Sequence, residues 1–120
     1  MSDVNEIVEK MLQELRRGTI SIGVLSLLTK PQYGYSLVTM LADKGIQVEA
    51  GTLYPLLRRL EKQGLLESEW DTNEARPRKY YLLSPIGKEV YQRICIEWRA
   101  IVKSLDGLLN DEGGVRNGVD

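Results

Sequence analysis

Gly51-Thr52-Leu53-Tyr54-Pro55-Leu56-Leu57-Arg58-Arg59-Leu60-Glu61 carries a helical apolar stripe on one side and bare cations on the other. At 100° per residue, Leu53, Leu56, Leu57 and Leu60 follow the i, i+3, i+4, i+7 pattern of a helix pinned to a core. The opposite arc holds Pro55, Arg58, Arg59 and Lys62, with Thr52 and Tyr54 on its flanks. A short helix with a leucine back and a face of Arg, Lys, Thr and Tyr suits the major groove of DNA. Taken alone, the segment fits a solvated surface helix as well.

The residues on either side narrow the choice. Thr52 reads as the N-cap, which puts Pro55 in the first turn, where amides have no intrahelical partner. Gln63-Gly64 stops the helix. Leu65 to Trp70 and Arg78 to Leu83 read as strands around a polar turn from Asp71 to Ala75, so a β-hairpin follows the basic helix directly. Upstream, a first helix spans about Val4 to Thr29, with Ile7, Met11, Leu15, Ile22, Leu25 and Leu28 on its apolar side. Gly18 leaves open two helices meeting near Arg17, since glycine costs about 1 kcal/mol in a helix interior. A second helix covers Ser36 to Lys44, with Gly45 at its C-cap.

Ser84 and Pro85 restart helix as N-cap and first helical residue. The stripe that follows is Ile86, Val90, Ile94, Trp98, Ile101, Leu105 and Leu108. A helix of about 25 residues reaches about 37 Å at a rise of 1.5 Å, more than so small a domain needs to cover its own core. The spare apolar length calls for a partner helix, most simply from a second copy, and Ile94, Trp98, Ile101, Leu105 and Leu108 are its expected dimer contacts. Residues 1–83 then form the head with a dimer-supporting first helix, 84–110 the dimerisation helix, and 111–120 a disordered tail.

Composition bounds the chemistry. The 120 residues suffice for one domain, and 42% are hydrophobic, enough for a core without staples. With one cysteine, Cys95, and no histidine, a Cys/His zinc site and histidine-based catalysis are both excluded. Neither a phosphate loop nor paired carboxylates in an apolar setting are present, so no enzyme, cofactor or metal is expected. No signal peptide or membrane span is evident, and the reading is a soluble cytoplasmic protein. Net charge is −1, but its distribution is uneven. Residues 1–15 and 106–120 each hold four acidic residues and one basic, while cations gather in Arg58/Arg59/Lys62 and Arg76/Arg78/Lys79. That is a local basic face on a neutral body.

Three helices and then a two-stranded hairpin is the winged helix-turn-helix order. The fold class is therefore mainly α with a small β-hairpin, a winged helix-turn-helix with a long C-terminal dimerisation helix. The two cationic clusters fall on the two elements that this fold turns toward DNA. The alternative for Arg76, Arg78 and Lys79 is a charged hairpin guarding an edge strand.

Tyr33-Gly34-Tyr35-Ser36-Leu37, the stretch from Gly51 to Leu65, Arg76-Pro77-Arg78-Lys79-Tyr80-Tyr81 and Ser84-Pro85-Ile86-Gly87 stand in the order seen in PadR-family transcriptional regulators. The resemblance runs from about Leu15 to Leu109, and the single C-terminal helix is similar to the compact branch of that family. It implies a homodimeric repressor on an inverted-repeat operator, with half-sites about 34–36 Å apart or a multiple of it. It puts Thr52, Tyr54 and Pro55 near bases or phosphates, Arg58 or Arg59 along the backbone, Tyr35 on a phosphate, and Arg76, Arg78 and Lys79 in the wing. Glu74 and Ala75 depart from a pattern that often has glycine there.

Glu97-Trp98-Arg99 resembles the setting in which compact members stack flat ligands across a dimer pore. Leu15, Ile22 and Val102 would then wall a site for a small aromatic effector. Trp98 fits ordinary dimer-core packing as well. The sequence is compatible with two rival functions. One is a winged-helix module that binds protein and not DNA. The other is a regulator controlled by a protein partner, or by temperature or redox through Cys95, whose apolar setting usually leaves a thiol inert.

Overall fold

The computed structural model describes residues 2–114, with side chains described for 3–111. Helix α1 runs from Ser2 to Leu27 without a break at Gly18. There follow strand β1 (Gln32–Tyr33), helix α2 (Gly34–Asp43), helix α3 (Ala50–Lys62), strands β2 (Leu66–Asp71) and β3 (Arg78–Leu83), and helix α4 (Pro85–Gly114). Among the described residues no helix is long and apolar enough to cross a membrane.

One cluster forms the core of the head. Ile20, Val24 and Leu25 of α1 and Leu28 just after it meet Leu37 and Leu41 of α2, the four leucines of α3, and Leu66, Tyr81 and Leu83 of the sheet. Both α2 and α3 end in Schellman turns. Gly45 and Gly64 take φ of 87° and 84°, which glycine reaches without the cost of a Cβ. Ile46 N–H then donates to the Leu41 carbonyl and Leu65 N–H to that of Leu60, at 2.9 and 3.0 Å.

Four details differ from the sequence reading. The sheet has three strands in the order β1-β3-β2, because Gln32 and Tyr33 pair with Tyr81 and Tyr80. Helix α3 begins three residues early, with Glu49 in place of Thr52 at the N-cap position and making no side-chain cap bond. Thr52 is thus inside the helix, and its amide donates to the Glu49 carbonyl at 2.9 Å. Pro55 consequently lies beyond the first turn, on the exposed side, and has no N–H to return to the Gly51 carbonyl. Finally, α4 has 30 residues, about 45 Å at 1.5 Å per residue. Residues 111–114 of the expected tail are helical, and 115–120 lie outside the described residues.

Ser84 caps α4 as its sequence suggests. Its Oγ accepts from Gly87 N–H at 2.9 Å and donates to the Gly64 carbonyl at 2.6 Å. A Cβ on Gly87 would lie 2.0 Å from the Leu65 carbonyl oxygen. Glycine there lets the first turn of α4 press against the α3–β2 junction and sets the angle at which the long helix leaves the head.

Candidate nucleic-acid interface

The leucines of α3 are buried, whereas Thr52, Pro55, Arg58, Arg59 and Lys62 are exposed and Tyr54 is half-buried. The helix therefore stands out as a ridge. On its wing side lies a cleft of about 670 Å³ lined by Tyr35, Tyr54, Arg58, Trp70, Arg76, Arg78 and Lys79, together with Gly34, Pro77 and Tyr81. The structure thus gathers six of the ten expected DNA residues into one concavity. Thr52 borders a separate groove on the other side of the ridge, with Arg16 and Arg17 of α1. Pro55, Arg59 and Lys62 line neither; the helical period puts them along the crest between the two.

Gly34 explains the tight join between α2 and the cleft. A Cβ there would lie 3.1 Å from Tyr54 Cε1 and 3.2 Å from Tyr81 Cε1. Two aromatic edges close on the start of α2 where that residue has no side chain, and a Cβ would force them back by a few tenths of an ångström.

The wing is braced. Tyr33 O–H donates to Asp71 Oδ2 at 2.5 Å. The rings of Tyr33 and Tyr35 stack with centroids 5.5 Å apart, and Tyr80 meets Tyr33 edge-on at 6.3 Å. Arg78 donates to the Tyr35 hydroxyl at 2.9 Å and covers that ring at 5.3 Å. Its other side pairs with Glu74 at 3.5 Å, so the acidic residue at the turn engages a wing cation. Glu61 couples α3 to both long strands: Ser68 Oγ donates to it at 2.6 Å, and Lys79 Nζ lies 3.9 Å away. Lys79 also sits 5.9 Å from the Trp70 ring centroid. Arg58, Arg59, Lys62 and Arg76 make no ion pair among the described residues. The chain thus holds two kinds of cation here, a braced pair that shapes the wing and free ones available to an anion.

Electrostatics follow the same contacts. The hydrogen bond to Asp71 raises the Tyr33 phenol above its ordinary 10.0. The same bond, and then the Asn73 amide, lower the Asp71 carboxyl below 3.8. Glu69 raises Tyr80 in the same manner, and burial raises Tyr81. Tyr33, Glu61, Trp70 and Asp71 were not among the residues singled out in the sequence. Strand register brings three of them together, since Tyr33 pairs with Tyr80, Asp71 with Arg78 and Trp70 with Lys79, and packing of α3 on the sheet brings Glu61 to Ser68 and Lys79.

The expected dimer and effector residues lie elsewhere. Ile94, Ile101, Leu105 and Leu108 of α4 are exposed, as are Val4, Ile7, Met11 and Leu15 of α1. Trp98 is 39% exposed. With Val102, Arg99, Lys103 and Asp106 it lines a shallow concavity of about 300 Å³. Leu15 and Ile22 do not line it within one chain. Cys95 is half-buried and hydrogen-bonds the Tyr91 phenol, raising that group. Among the described residues no cluster of His, Cys, Asp or Glu could hold a metal.

Comparison with known proteins points the same way. Residues 24–93 match the transcriptional regulator PadR-like family. The chain is similar to a PadR-family transcriptional regulator of Eggerthella lenta, with 49% identity and a TM-score of 0.84 over 91% of this chain and 97% of that one. A PadR-like transcriptional regulator of Bacillus cereus superimposes with a TM-score of 0.73 at 28% identity, over 80% and 96% of the two chains. A transcriptional regulator of Mycobacterium tuberculosis is 35% identical over 78 residues, 64% of this chain and 73% of that protein.

Proposed function

The chain belongs to the PadR-like family of transcriptional regulators, and on that premise we propose a homodimeric cytoplasmic repressor of an inverted-repeat operator, released by a flat aromatic effector. DNA-binding regulation comes with the family. The observation that carries the finer reading is the ridge of α3, whose free cations Arg58, Arg59 and Lys62 stand beside a cleft rimmed by the wing arginines. The crest enters the major groove, and the wing cleft takes a phosphate backbone on its near side.

Two further features support the assembly and its control. The outward apolar residues of α1 and α4, among them Ile7, Met11, Leu15, Ile101, Leu105 and Leu108, are exposed in one chain, and a second copy would bury them. Trp98 on α4 lines a concavity with Val102, and the twofold mate would bring a second indole opposite it. A ligand held between them acts by favouring one separation of the heads over another.

A gel-shift titration of the operator against sequence-unrelated competitor tests operator reading. Retention of the operator complex at large competitor excess is expected, and equal competition by random duplex would reject it. Quenching of Trp98 fluorescence by flat aromatics, absent in Trp98→Leu, tests effector binding.

A further inference from the structure

We propose that Arg16 and Arg17 form a second phosphate clamp, which grips the DNA backbone on the flank of α3 opposite the wing. The proposal rests on the DNA-binding reading above. Gln13, Arg16, Arg17 and Ile20 recur on α1 at i, i+3, i+4 and i+7, and Ile20 is buried in the core of the head. The two arginines therefore share the face of α1 that turns toward the head. They line an open groove of about 490 Å³ whose other wall is built by Gln47 and Glu49 of the connector before α3 and Thr52 of its first turn. Both are exposed, and neither makes an ion pair among the described residues.

The ridge supplies the geometry. Tyr54 and Arg58 border the wing cleft, and Thr52 borders the α1 groove. A helix seated in a major groove about 12 Å wide lies between two phosphate chains, one on each side. The wing serves one chain. The groove beside Arg16 and Arg17 lies where the other would pass, and paired arginines suit phosphodiester oxygens through charge-assisted bonds. Glu49 is the carboxylate on this groove, one negative charge against two positive ones. Its repulsion favours a phosphate position on the α1 side.

The test uses the full chain and a duplex recovered by in-vitro selection with it. Binding is followed by anisotropy across a salt series for the wild type, Arg16→Ala/Arg17→Ala, Arg16→Lys/Arg17→Lys and the wing control Arg76→Ala/Arg78→Ala. The alanine pair is expected to weaken binding. Its slope of log K against log salt should flatten by about 0.9 per lost phosphate contact, so by about 3.6 for two arginines on each of two heads. The lysine pair should keep most of the slope. Replacing single phosphates by neutral methylphosphonates should show that the alanine pair loses sensitivity at phosphates other than those lost with the wing control.

Unchanged affinity and slope for the alanine pair, with binding lost in the wing control, would overturn the clamp and leave the DNA reading standing. Weaker binding accompanied by a changed sedimentation coefficient would also overturn it, by assigning the arginines to subunit pairing. A wild-type chain that binds no duplex in a salt-dependent way would remove both proposals together.

Discussion

Tyr33 on one edge strand of the sheet and Asp71 on the other are joined at 2.5 Å across the intervening β3. That bond triangulates the wing against the start of α2. Its pH dependence has two sides. Asp71 is depressed, so its contribution is present above the ordinary carboxylate value and is lost as pH falls through the depressed one. Tyr33 is raised, so its contribution is present below 10.0 and is lost as pH rises through the raised value. The brace holds throughout the neutral range. In Asp71→Asn, Tyr33 should ionise closer to pH 10.0, read by NMR of carbon-labelled tyrosine, with Tyr35 as the internal control. An unmoved Tyr33 midpoint would rule out the brace.

Arg59 and Arg58 should separate sequence reading from backbone grip. Arg59 lies on the crest of the ridge, and Arg58 lines the wing cleft. Arg59→Ala is expected to cost about 1–3 kcal/mol on the preferred operator and to flatten discrimination among operator variants. Arg58→Ala should weaken all duplexes alike and reduce the salt slope by about 1 per head. Competitive binding against a set of single-base operator variants distinguishes the two outcomes.

Two glycines should respond in opposite directions. Gly87→Ala places a methyl 2.0 Å from the Leu65 carbonyl oxygen, so the α3–β2 junction or the first turn of α4 must move, at a cost of about 1–3 kcal/mol or more. Gly18 is inside α1 with no atom within 4 Å of its ideal Cβ. Gly18→Ala should stabilise by about 0.5–1 kcal/mol. Urea unfolding of the two variants beside the wild type checks both signs.

Charge on the outer stripe should divide the assembly. Leu105 is about half exposed in a single chain, and Ile101 on the same stripe is equally open. Leu105→Asp should shift the sedimentation coefficient to that of one chain at micromolar concentration, leave the far-ultraviolet helical signal of the head intact, and weaken operator binding by removing the second head. A variant that sediments as the wild type would place the subunit contact elsewhere.

Much of this architecture is legible in the chain because its elements carry their own signals. Leu53, Leu56, Leu57 and Leu60 mark α3 by period, Gly45 and Gly64 mark two helix ends, and Ser84-Pro85 marks the start of α4. What escapes notice depends on distant partners. Gln32 and Tyr33 are too short a run to show alternation, and become a strand only because Tyr80 and Tyr81 lie beside them. Thr52 is a better cap than Glu49 by residue preference, yet the chain turns helical earlier. Asp111 to Gly114 lack an apolar period, but a helix already nucleated upstream extends at little cost.

The site divides along the same line. Its cations can be counted in the sequence, but not their engagement. Only strand register and the turn geometry show Arg78 occupied by Glu74 and Tyr35 while Arg76 stays free. In the sequence Arg16 and Arg17 carry no binding signal, because Leu15, their neighbour, belongs to the outward apolar face of α1. The inward face at the same level becomes visible only once Ile20 is seen in the core.

Helix α4 is fixed to the head by its first turn, where Gly87 meets Leu65, and runs on for 30 residues. Such a member is a lever. With a length of about 45 Å, a tilt of about 5° pivoting at the far end carries the near end about 4 Å, a large fraction of the spacing between neighbouring phosphates on a strand. A small wedge driven in beside Trp98 would thus be magnified at the duplex, with no residue of the reading head having to change shape.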